Sequence, residues 1–165
     1  MLDRLWAGWR SQYIASSGAD SGDDGCVLCR VLAHPDEREA LVVWRGEHAA
    51  VILNAYPYTS GHVMVLPLRH VGDLEDLDGA EASELWAGAA DAVRAIKQAY
   101  EPGGLNLGAN LGRAAGAGVP GHLHVHVLPR WSGDTNFMTS VAEARVLPEP
   151  LSESYDKVKA AWPVS

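Results

Sequence analysis

The sequence predicts an α+β fold in which one long helix crosses an antiparallel sheet of about five strands. Three observations carry this prediction. The length of 165 residues, 47% of them hydrophobic and 21% charged, fits a single globular domain. Short apolar segments alternate with turn-forming residues, as in antiparallel strands. One segment, residues 80–100, instead repeats its apolar residues every three or four positions, as a helix does.

The elements follow one another in a simple order along the chain. Residues 15–25 are small, polar and acidic, and we expect a flexible loop there between an aromatic N-terminal segment and the body of the domain. The other predicted elements are a short helix over 26–33, strands over 41–45, 49–53 and 63–67, the long helix over 80–100, strands over 105–111 and 122–129, and a terminal helix over 149–161.

The charge of the chain bears on its partners. Thirteen Lys and Arg residues against 21 Asp and Glu residues give a net charge of −8. This charge argues against a nucleic acid polymer as a binding partner, because proteins that bind such polymers present a broad basic face. A small anionic ligand needs only a few local donors and is compatible with this charge. No apolar run reaches the ~18 residues of a membrane helix, and residues 1–14 lack a signal-peptide core. We therefore expect a cytoplasmic protein that binds no membrane.

Three of the seven histidines, His122, His124 and His126, lie at alternate positions of one short segment. In a strand, residues two apart share a face and lie about 6.6 Å apart, so the imidazoles line up while the apolar residues between them face the core. Three interpretations follow from this pattern. The histidines are the polar face of a half-buried strand, ligands of a zinc ion, or a nucleophilic site in which one neutral imidazole attacks phosphorus and its neighbours orient it.

This segment resembles the signature of the histidine triad (HIT) family, His-φ-His-φ-His-φ-φ, where φ is an apolar residue. The segments N-A-Y-P-Y-T-S-G-H-V-M-V-L-P over 54–67 and L-P-R-W-S-G-D-T-N-F over 128–137 are similar to the family's flanking segments. The likeness is greatest to the branch of fragile-histidine-triad proteins and diadenosine tetraphosphate phosphorylases. It implies a HIT fold paired into a homodimer. It also implies one domain over 1–165, with an N-terminal segment over 1–25, a HIT core over 26–137 and a C-terminal extension over 138–165.

The resemblance implies an enzyme that cleaves nucleotide phosphoanhydrides through a nucleotidyl-histidine intermediate. The implied substrate is a dinucleoside polyphosphate such as diadenosine tetraphosphate, cleaved by phosphorolysis or hydrolysis. His124 corresponds to the nucleophile, His126 to the residue that contacts the reacting phosphate, and His62 to a histidine that supports the triad. Position favours the same nucleophile, because only the middle histidine has another histidine on each side.

The resemblance also implies a set of nucleotide-binding residues, which are Leu53, Asn54, Asn110, Gly118 and His126. Asn54 corresponds to a ribose ligand, although an asparagine here also suits an ordinary turn. Leu53 is an aliphatic contact for the base. Asn110 and Gly118 belong to the glycine-rich loop over 110–121, whose backbone N–H groups can approach phosphates. Fragile-histidine-triad proteins have glutamine at the position of Gly118, so the smaller residue favours an acceptor larger than water, such as inorganic phosphate.

The two cysteines of the chain, Cys26 and Cys29, form a C-x-x-C motif. This spacing is typical of half a metal site or a redox pair, and two buried thiols are the simpler alternative. The resemblance adds His70 and His122 as further ligands. Four such ligands would hold a structural Zn²⁺ with no open coordination position. Mg²⁺ is expected only as a companion of the polyphosphate substrate.

Three other functions stay open at the level of the sequence. Hydrolysis of a nucleoside phosphoramidate or an adenylyl-amine differs from the implied reaction only in the leaving group. A second alternative is a nucleotide-binding module without catalysis. The third is a zinc-dependent hydrolase that uses His122, His124 and His126 as metal ligands.

Overall fold

Five antiparallel strands form one sheet in the order β1-β2-β3-β5-β4. The strands are β1 (Val42–Arg45), β2 (Ala49–Leu53), β3 (Val63–Pro67), β4 (Gly104–Ala109) and β5 (Val125–Arg130). This computed structural model describes residues 25–134 and 147–164. The predicted α+β fold with a five-stranded antiparallel sheet is confirmed. The predictions for residues 1–24 and for the boundary at residue 137 lie outside the described residues.

The described helices are α1 (Val27–Leu32), α2 (Gly79–Tyr100) and α3 (Leu151–Ala160), close to the predicted bounds. A capping box starts α2, because the Asp78 carboxylate accepts the N–H of Glu81 while the Glu81 carboxylate accepts the N–H of Asp78. The helix ends where Glu101 takes a left-handed backbone conformation ahead of Pro102. None of these helices is long and apolar enough to cross a membrane.

The two faces of the sheet bury two separate apolar clusters. On one face, residues such as Val51, Val65 and Val127 pack against buried side chains of α2 and α3. On the other face, Ile52 and Met64 pack against α1. Because side chains alternate between the faces of a strand, neighbouring residues of β2 and β3 belong to different clusters. The face that carries α1 is the one that holds the candidate site.

The strand that carries the histidines begins later than the sequence pattern predicts. Residues 122–124 precede β5 and do not join the ladder, and the Leu123 N–H instead donates to the carbonyl oxygen of Val71 across 2.6 Å. Pairing starts at Val125, which lies opposite Val65 in β3 and Ala109 in β4. The predicted alternation of faces nevertheless holds, since Leu123, Val125 and Val127 are all buried in the core.

The C-terminal helix packs against its own domain. Tyr155 and Val158 of α3 belong to the buried cluster between the helices and the sheet. Beyond the helix, the Trp162 ring stacks on Trp44 of β1 with ring centroids 5.8 Å apart. The described part of the predicted C-terminal extension therefore completes the core of this chain.

Candidate active site and metal centre

A pocket of about 540 Å³ opens on the α1 face of the sheet. Its walls come from α1, the end of β2, the turn that follows β2, and the loop between β4 and β5. The pocket brings together six of the residues predicted for the site: Leu53, Asn54, Asn110, Gly118, His124 and His126. His62 does not line the pocket and lies fully buried behind it. The predicted metal ligands form a separate cluster.

His124 presents an unprotonated nitrogen to this pocket. Its Nδ1 lies 2.7 Å from the backbone carbonyl oxygen of His122. A carbonyl oxygen can only accept, so Nδ1 carries the hydrogen and Nε2 keeps its lone pair. Burial lowers the pKa of His124, and the hydrogen bond to the carbonyl opposes this shift. The ring is therefore a neutral base or nucleophile near neutral pH.

His126 has the opposite tautomer, which a chain of hydrogen bonds determines. The backbone N–H of Tyr58 donates to Nδ1 of His62 across 3.1 Å, so the hydrogen of the neutral His62 ring is on Nε2. That Nε2 lies 2.9 Å from Nδ1 of His126 and donates to it. The hydrogen of His126 is therefore on Nε2. Burial, with a smaller contribution from His124, lowers the pKa of His126 to about 4, which keeps this ring neutral as well.

The pocket thus contains a lone pair from one imidazole and an N–H from the next. The His124 and His126 rings stand edge to face with centroids 5.0 Å apart. A neutral imidazole lone pair can attack phosphorus, and an adjacent N–H can stabilise the charge that develops on a phosphoryl oxygen. The pair suits nucleophilic transfer of a phosphorus-centred group.

Strand pairing and one glycine position this pair. His126 lies opposite Met64 of β3. Met64 follows His62 by two residues in the chain. The turn that leads into β3 passes Gly61, whose φ of +75° is rarely adopted by other residues. A Cβ there would lie 2.5 Å from the Tyr100 ring. The same turn is tied to β5, since the Thr59 hydroxyl donates to the carbonyl oxygen of Pro129 across 3.2 Å.

Asn54 lies at the pocket wall and also organises the turn. Its Oδ1 accepts the backbone N–H of Tyr56 across 2.9 Å, and its Nδ2 lies 3.4 Å from Nδ1 of His62. The turn-forming role considered for this asparagine is therefore present in the structure. Its role toward a ribose stays a prediction, as do the ligand contacts of Leu53, Asn110 and Gly118.

Several pocket residues escape the sequence reasoning. Tyr58 is the most closely placed of them, because its ring lies 4.7 Å from the His62 ring and 5.9 Å from the His126 ring, centroid to centroid. In the sequence, the Y-P-Y segment over 56–58, just ahead of Gly61 and His62, is the feature that could have indicated an aromatic residue at the pocket. Other residues that line the apolar part of the wall or its rim include Val27, Leu28, Val31, Ile52, Tyr56, Met64 and Leu147.

The four predicted metal ligands meet in one cluster beside the pocket. One ligand atom from each of Cys26, Cys29, His70 and His122 lies within 4.8 Å of every other. Nδ1 of His122 is 3.5 Å from Sγ of Cys26 and 3.4 Å from Sγ of Cys29, and Nδ1 of His70 is 3.4 Å from Sγ of Cys29. Tetrahedral Zn²⁺ with the usual bond lengths holds sulfur and nitrogen ligands about 3.5 Å apart. The cluster can therefore bind a metal ion.

The tautomer of His122 agrees with this role. Its Nε2 lies 2.9 Å from the carbonyl oxygen of Pro67 and donates to it, so the Nδ1 lone pair faces the two thiols. This placement contradicts a zinc site built from His122, His124 and His126 together. The His122 ring belongs to the cysteine cluster, whereas the rings of His124 and His126 line the pocket.

Fold and site together define an antiparallel α+β protein with paired imidazoles of opposite tautomer beside a Cys₂His₂ cluster. The chain belongs to the HIT family, and the HIT domain matches residues 36–133. The resemblance in the histidine segment is thereby confirmed.

Two relatives and one solved structure illustrate the family around this chain. The AP-4-A phosphorylase of Mycobacterium tuberculosis is 39% identical over 165 residues, which span 98% of this chain and 85% of that protein. The asymmetrical bis(5'-nucleosyl)-tetraphosphatase of Schizosaccharomyces pombe is 34% identical over 93 residues, 56% of this chain and 50% of that one. A zinc-bound histidine triad family protein from Mycobacterium smegmatis has a TM-score of 0.67 and 29% identity over 85% of this chain and 94% of its own.

Proposed function

We propose that this protein is a nucleotidyltransferase that cleaves dinucleoside polyphosphates, with diadenosine tetraphosphate as substrate and inorganic phosphate as acceptor. The observation that carries the proposal is the pair of opposite tautomers at His124 and His126 in one pocket. The likeness to a phosphorylase over nearly the whole chain supports the same substrate class.

In the first step, Nε2 of His124 attacks the α-phosphorus of the substrate. A phosphorus–nitrogen bond forms while the bond to the bridging oxygen breaks, and the electron pair leaves with ATP. The N–H of His126 donates to a phosphoryl oxygen, and His62 acts as a positioning residue that keeps this hydrogen on Nε2. The product of this step is adenylylated His124.

In the second step, an oxygen of inorganic phosphate attacks the same phosphorus. The phosphorus–nitrogen bond breaks, its electron pair returns to His124, and ADP leaves. Gly118 and Asn110 line the pocket in the loop between β4 and β5. A residue without a side chain leaves space there for an acceptor larger than water, which is why we favour phosphorolysis over hydrolysis.

The apolar end of the pocket would receive one adenine. Ile52 of β2 and Leu28 of α1 belong to one buried cluster at this end, and Leu53 lines it as well. Buried aliphatic side chains of this kind are suited to a flat base. Asn54 follows directly and is our proposed ribose ligand. Such a wall discriminates weakly between purines, so the contribution of this end to selectivity is modest.

We further propose that the Cys26, Cys29, His70 and His122 cluster binds a structural Zn²⁺. Four protein ligands would fill its coordination sphere, so the metal contributes cross-linking and not chemistry at phosphorus. The zinc-bound structural relative supports the choice of metal. The described residues contain no second cluster of three or more such ligands. We propose Mg²⁺ only as a companion of the substrate phosphates.

A homodimer is part of the same proposal, as is a place in the cytoplasm. Strand β4 forms one edge of the sheet, and its Leu107 is 47% exposed in the single chain. An apolar edge strand of this kind is a ready surface for pairing with a second copy. Light scattering during gel filtration would report the mass of a dimer.

Product analysis tests the proposed reaction. Diadenosine tetraphosphate is incubated with the protein with and without inorganic phosphate, next to a His124→Ala variant. We expect ADP and ATP, formed only when phosphate is present, and no products from the variant. AMP and ATP formed regardless of phosphate would identify a hydrolase. Turnover that survives His124→Ala would rule out the nucleotidyl-histidine route.

A further inference from the structure

Exposed apolar side chains are concentrated at the mouth of the pocket. Nine large apolar side chains are strongly exposed among the described residues, and four of them line this one pocket. These four are Val27, Tyr56, Tyr58 and Leu147. Exposing a large apolar side chain to water is unfavourable, and a group of them around a cavity is typical of a binding surface.

Tyr56 is the most exposed of the four, at 74%. It lies two residues from Tyr58, whose ring stacks on His126 with centroids 5.9 Å apart. The backbone N–H of Tyr56 is bound to Oδ1 of Asn54, which fixes the turn at the rim. An aromatic ring is thus held at the entrance of the pocket, two residues from the tyrosine whose ring contacts His126.

The proposed substrate carries two bases, and the pocket has one buried apolar wall. Leu28, Ile52 and Leu53 are all at most 5% exposed and form that wall. One base can occupy it while the phosphate chain runs past His124 and His126. The second nucleoside then lies outside the buried wall, where the rim provides the aromatic surface on which bases stack.

We propose that Tyr56 is a specificity-determining residue that stacks on the base of the leaving nucleotide and so favours dinucleoside over mononucleoside polyphosphates. This inference rests on the proposed function. Because the contact involves only the leaving nucleotide, it assists binding of the substrate and formation of adenylylated His124. It does not assist the attack of phosphate on that intermediate, since the second base has then departed.

Two substrates that differ only in the second adenosine provide the test. Diadenosine tetraphosphate and adenosine 5′-tetraphosphate share the first nucleoside and the length of the phosphate chain. We would measure kcat/KM for both with the wild-type protein, Tyr56→Ala and Tyr56→Phe. Trp86→Ala is the matched control, because Trp86 is an aromatic residue that is 48% exposed and does not line the pocket.

Tyr56→Ala should lower kcat/KM for diadenosine tetraphosphate about five- to tenfold, at the lower end of what base stacking contributes. The value for adenosine 5′-tetraphosphate should change less than about twofold, since that ligand has no second base to lose. Tyr56→Phe keeps the ring and should resemble the wild type for both. Titration of both ligands into His124→Ala, with and without the Tyr56 change, repeats the comparison without turnover.

The outcomes separate this inference from the proposed function. Equal effects of Tyr56→Ala on both substrates, or no effect on either, would overturn the stacking role while leaving the reaction intact. An effect of Trp86→Ala as large as that of Tyr56→Ala would overturn it too. Wild-type protein that neither cleaves nor binds diadenosine tetraphosphate would overturn the proposed function and this inference together.

Discussion

The Nδ1 hydrogen of His124 is donated to the backbone carbonyl oxygen of His122, and the side chain of that same residue belongs to the Cys₂His₂ cluster. Nδ1 of His124 lies 2.7 Å from this carbonyl oxygen. Nδ1 of His122 lies within 3.5 Å of the sulfur atoms of both Cys26 and Cys29. One residue therefore links the metal centre to the tautomer of the proposed nucleophile. A displacement of His122 would also displace the carbonyl that keeps the lone pair of His124 on Nε2.

Loss of the metal is accordingly expected to impair catalysis as well as stability. We expect Cys26→Ser to be purified with little zinc and to lose about 10- to 100-fold in kcat, as for other changes that disturb the supports of a site. KM for diadenosine tetraphosphate should rise as well, because Cys26 directly precedes Val27 and Leu28 of α1, which line the pocket. Metal analysis by mass spectrometry and steady-state kinetics check both points.

The control for this prediction is His34→Ala, which removes an exposed histidine that is not in the cluster. It should retain the zinc content and kcat of the wild type. A Cys26→Ser protein with one zinc ion per chain would contradict the ligand assignment. A zinc-free variant with full activity would contradict the link between the metal centre and His124.

His126 is expected to contribute to the rate and not to the affinity. His126→Ala removes the N–H that faces the phosphoryl oxygen, and loss of one such donor typically lowers kcat about 10²- to 10³-fold. The pKa of His126 is lowered to about 4, so the ring stays neutral and keeps its single donor between pH 6 and 8. The fold-reduction should therefore be the same at both pH values.

Measurements of kcat for wild type and variant at pH 6 and pH 8 test this prediction. A loss that is much larger at pH 6 would mean that the protonated ring is the active form. His62→Ala should reproduce part of the loss, because His126 then has no partner to keep its hydrogen on Nε2. Thermal unfolding of each variant shows that the lower rate does not come from loss of the fold.

The two central strands could be predicted to the residue, and the reason is physical. Strands β2 and β3 are buried on both faces, so they appear in the sequence as uninterrupted apolar runs. The start of β5 could not be predicted. The alternation of histidine and apolar residues already begins at His122, whereas pairing with the neighbouring strands begins only at Val125. Periodicity reports which way a side chain faces and says nothing of the hydrogen-bonding partner.

The composition of the candidate site was predictable, and its protonation pattern was not. The resemblance supplied His124, His126 and the four residues of the Cys₂His₂ cluster, since these are side chains within recognisable motifs. The tautomers depend on the N–H of Tyr58 and on the carbonyl oxygens of residues 67 and 122. Backbone groups of this kind have no signature in the sequence, so only the structure assigns a lone pair to one ring and a hydrogen to the other.

An ion pair between the half-exposed Arg69 and the buried Glu81 should make stability depend on pH. The Arg69 guanidinium donates twice to the Glu81 carboxylate, which lowers the pKa of Glu81 from its ordinary value of 4.5 to about 2. The stabilisation is therefore complete above about pH 4.5 and is lost as the pH falls toward 2. We expect Glu81→Gln to cost about 2 kcal/mol at pH 7, the usual value for hydrogen bonds to a charged group.

Urea unfolding at pH 7 and pH 3 checks this prediction. The difference in unfolding free energy between wild type and Glu81→Gln should be smaller at pH 3, where the wild-type pair is already weakened. Glu75→Gln, at an exposed position ahead of α2, is the control and should change stability by less than about 0.5 kcal/mol. A difference that is the same at both pH values would show that charge on Glu81 is not the cause.

Gly61 is expected to tolerate no side chain. Its φ of +75° costs another residue about 1–2 kcal/mol, and a Cβ 2.5 Å from the Tyr100 ring forces a shift in the packing between the turn and α2. Gly61→Ala should therefore lower the free energy of unfolding by about 3 kcal/mol. Because His62 follows directly, the variant should also have a lower kcat than its remaining folded fraction accounts for.

Gly79→Ala is the matched control for that change. Gly79 is the first residue of α2, and a Cβ there meets no atom within 4 Å. Alanine favours a helix over glycine by up to about 1 kcal/mol, so this variant should be as stable as the wild type or slightly more stable. Urea unfolding of both variants compares the same substitution at a strained turn and at an open helix start. A Gly61→Ala protein within about 0.5 kcal/mol of the wild type would mean that the turn ahead of His62 can relax, and that its backbone does not fix the position of the histidine.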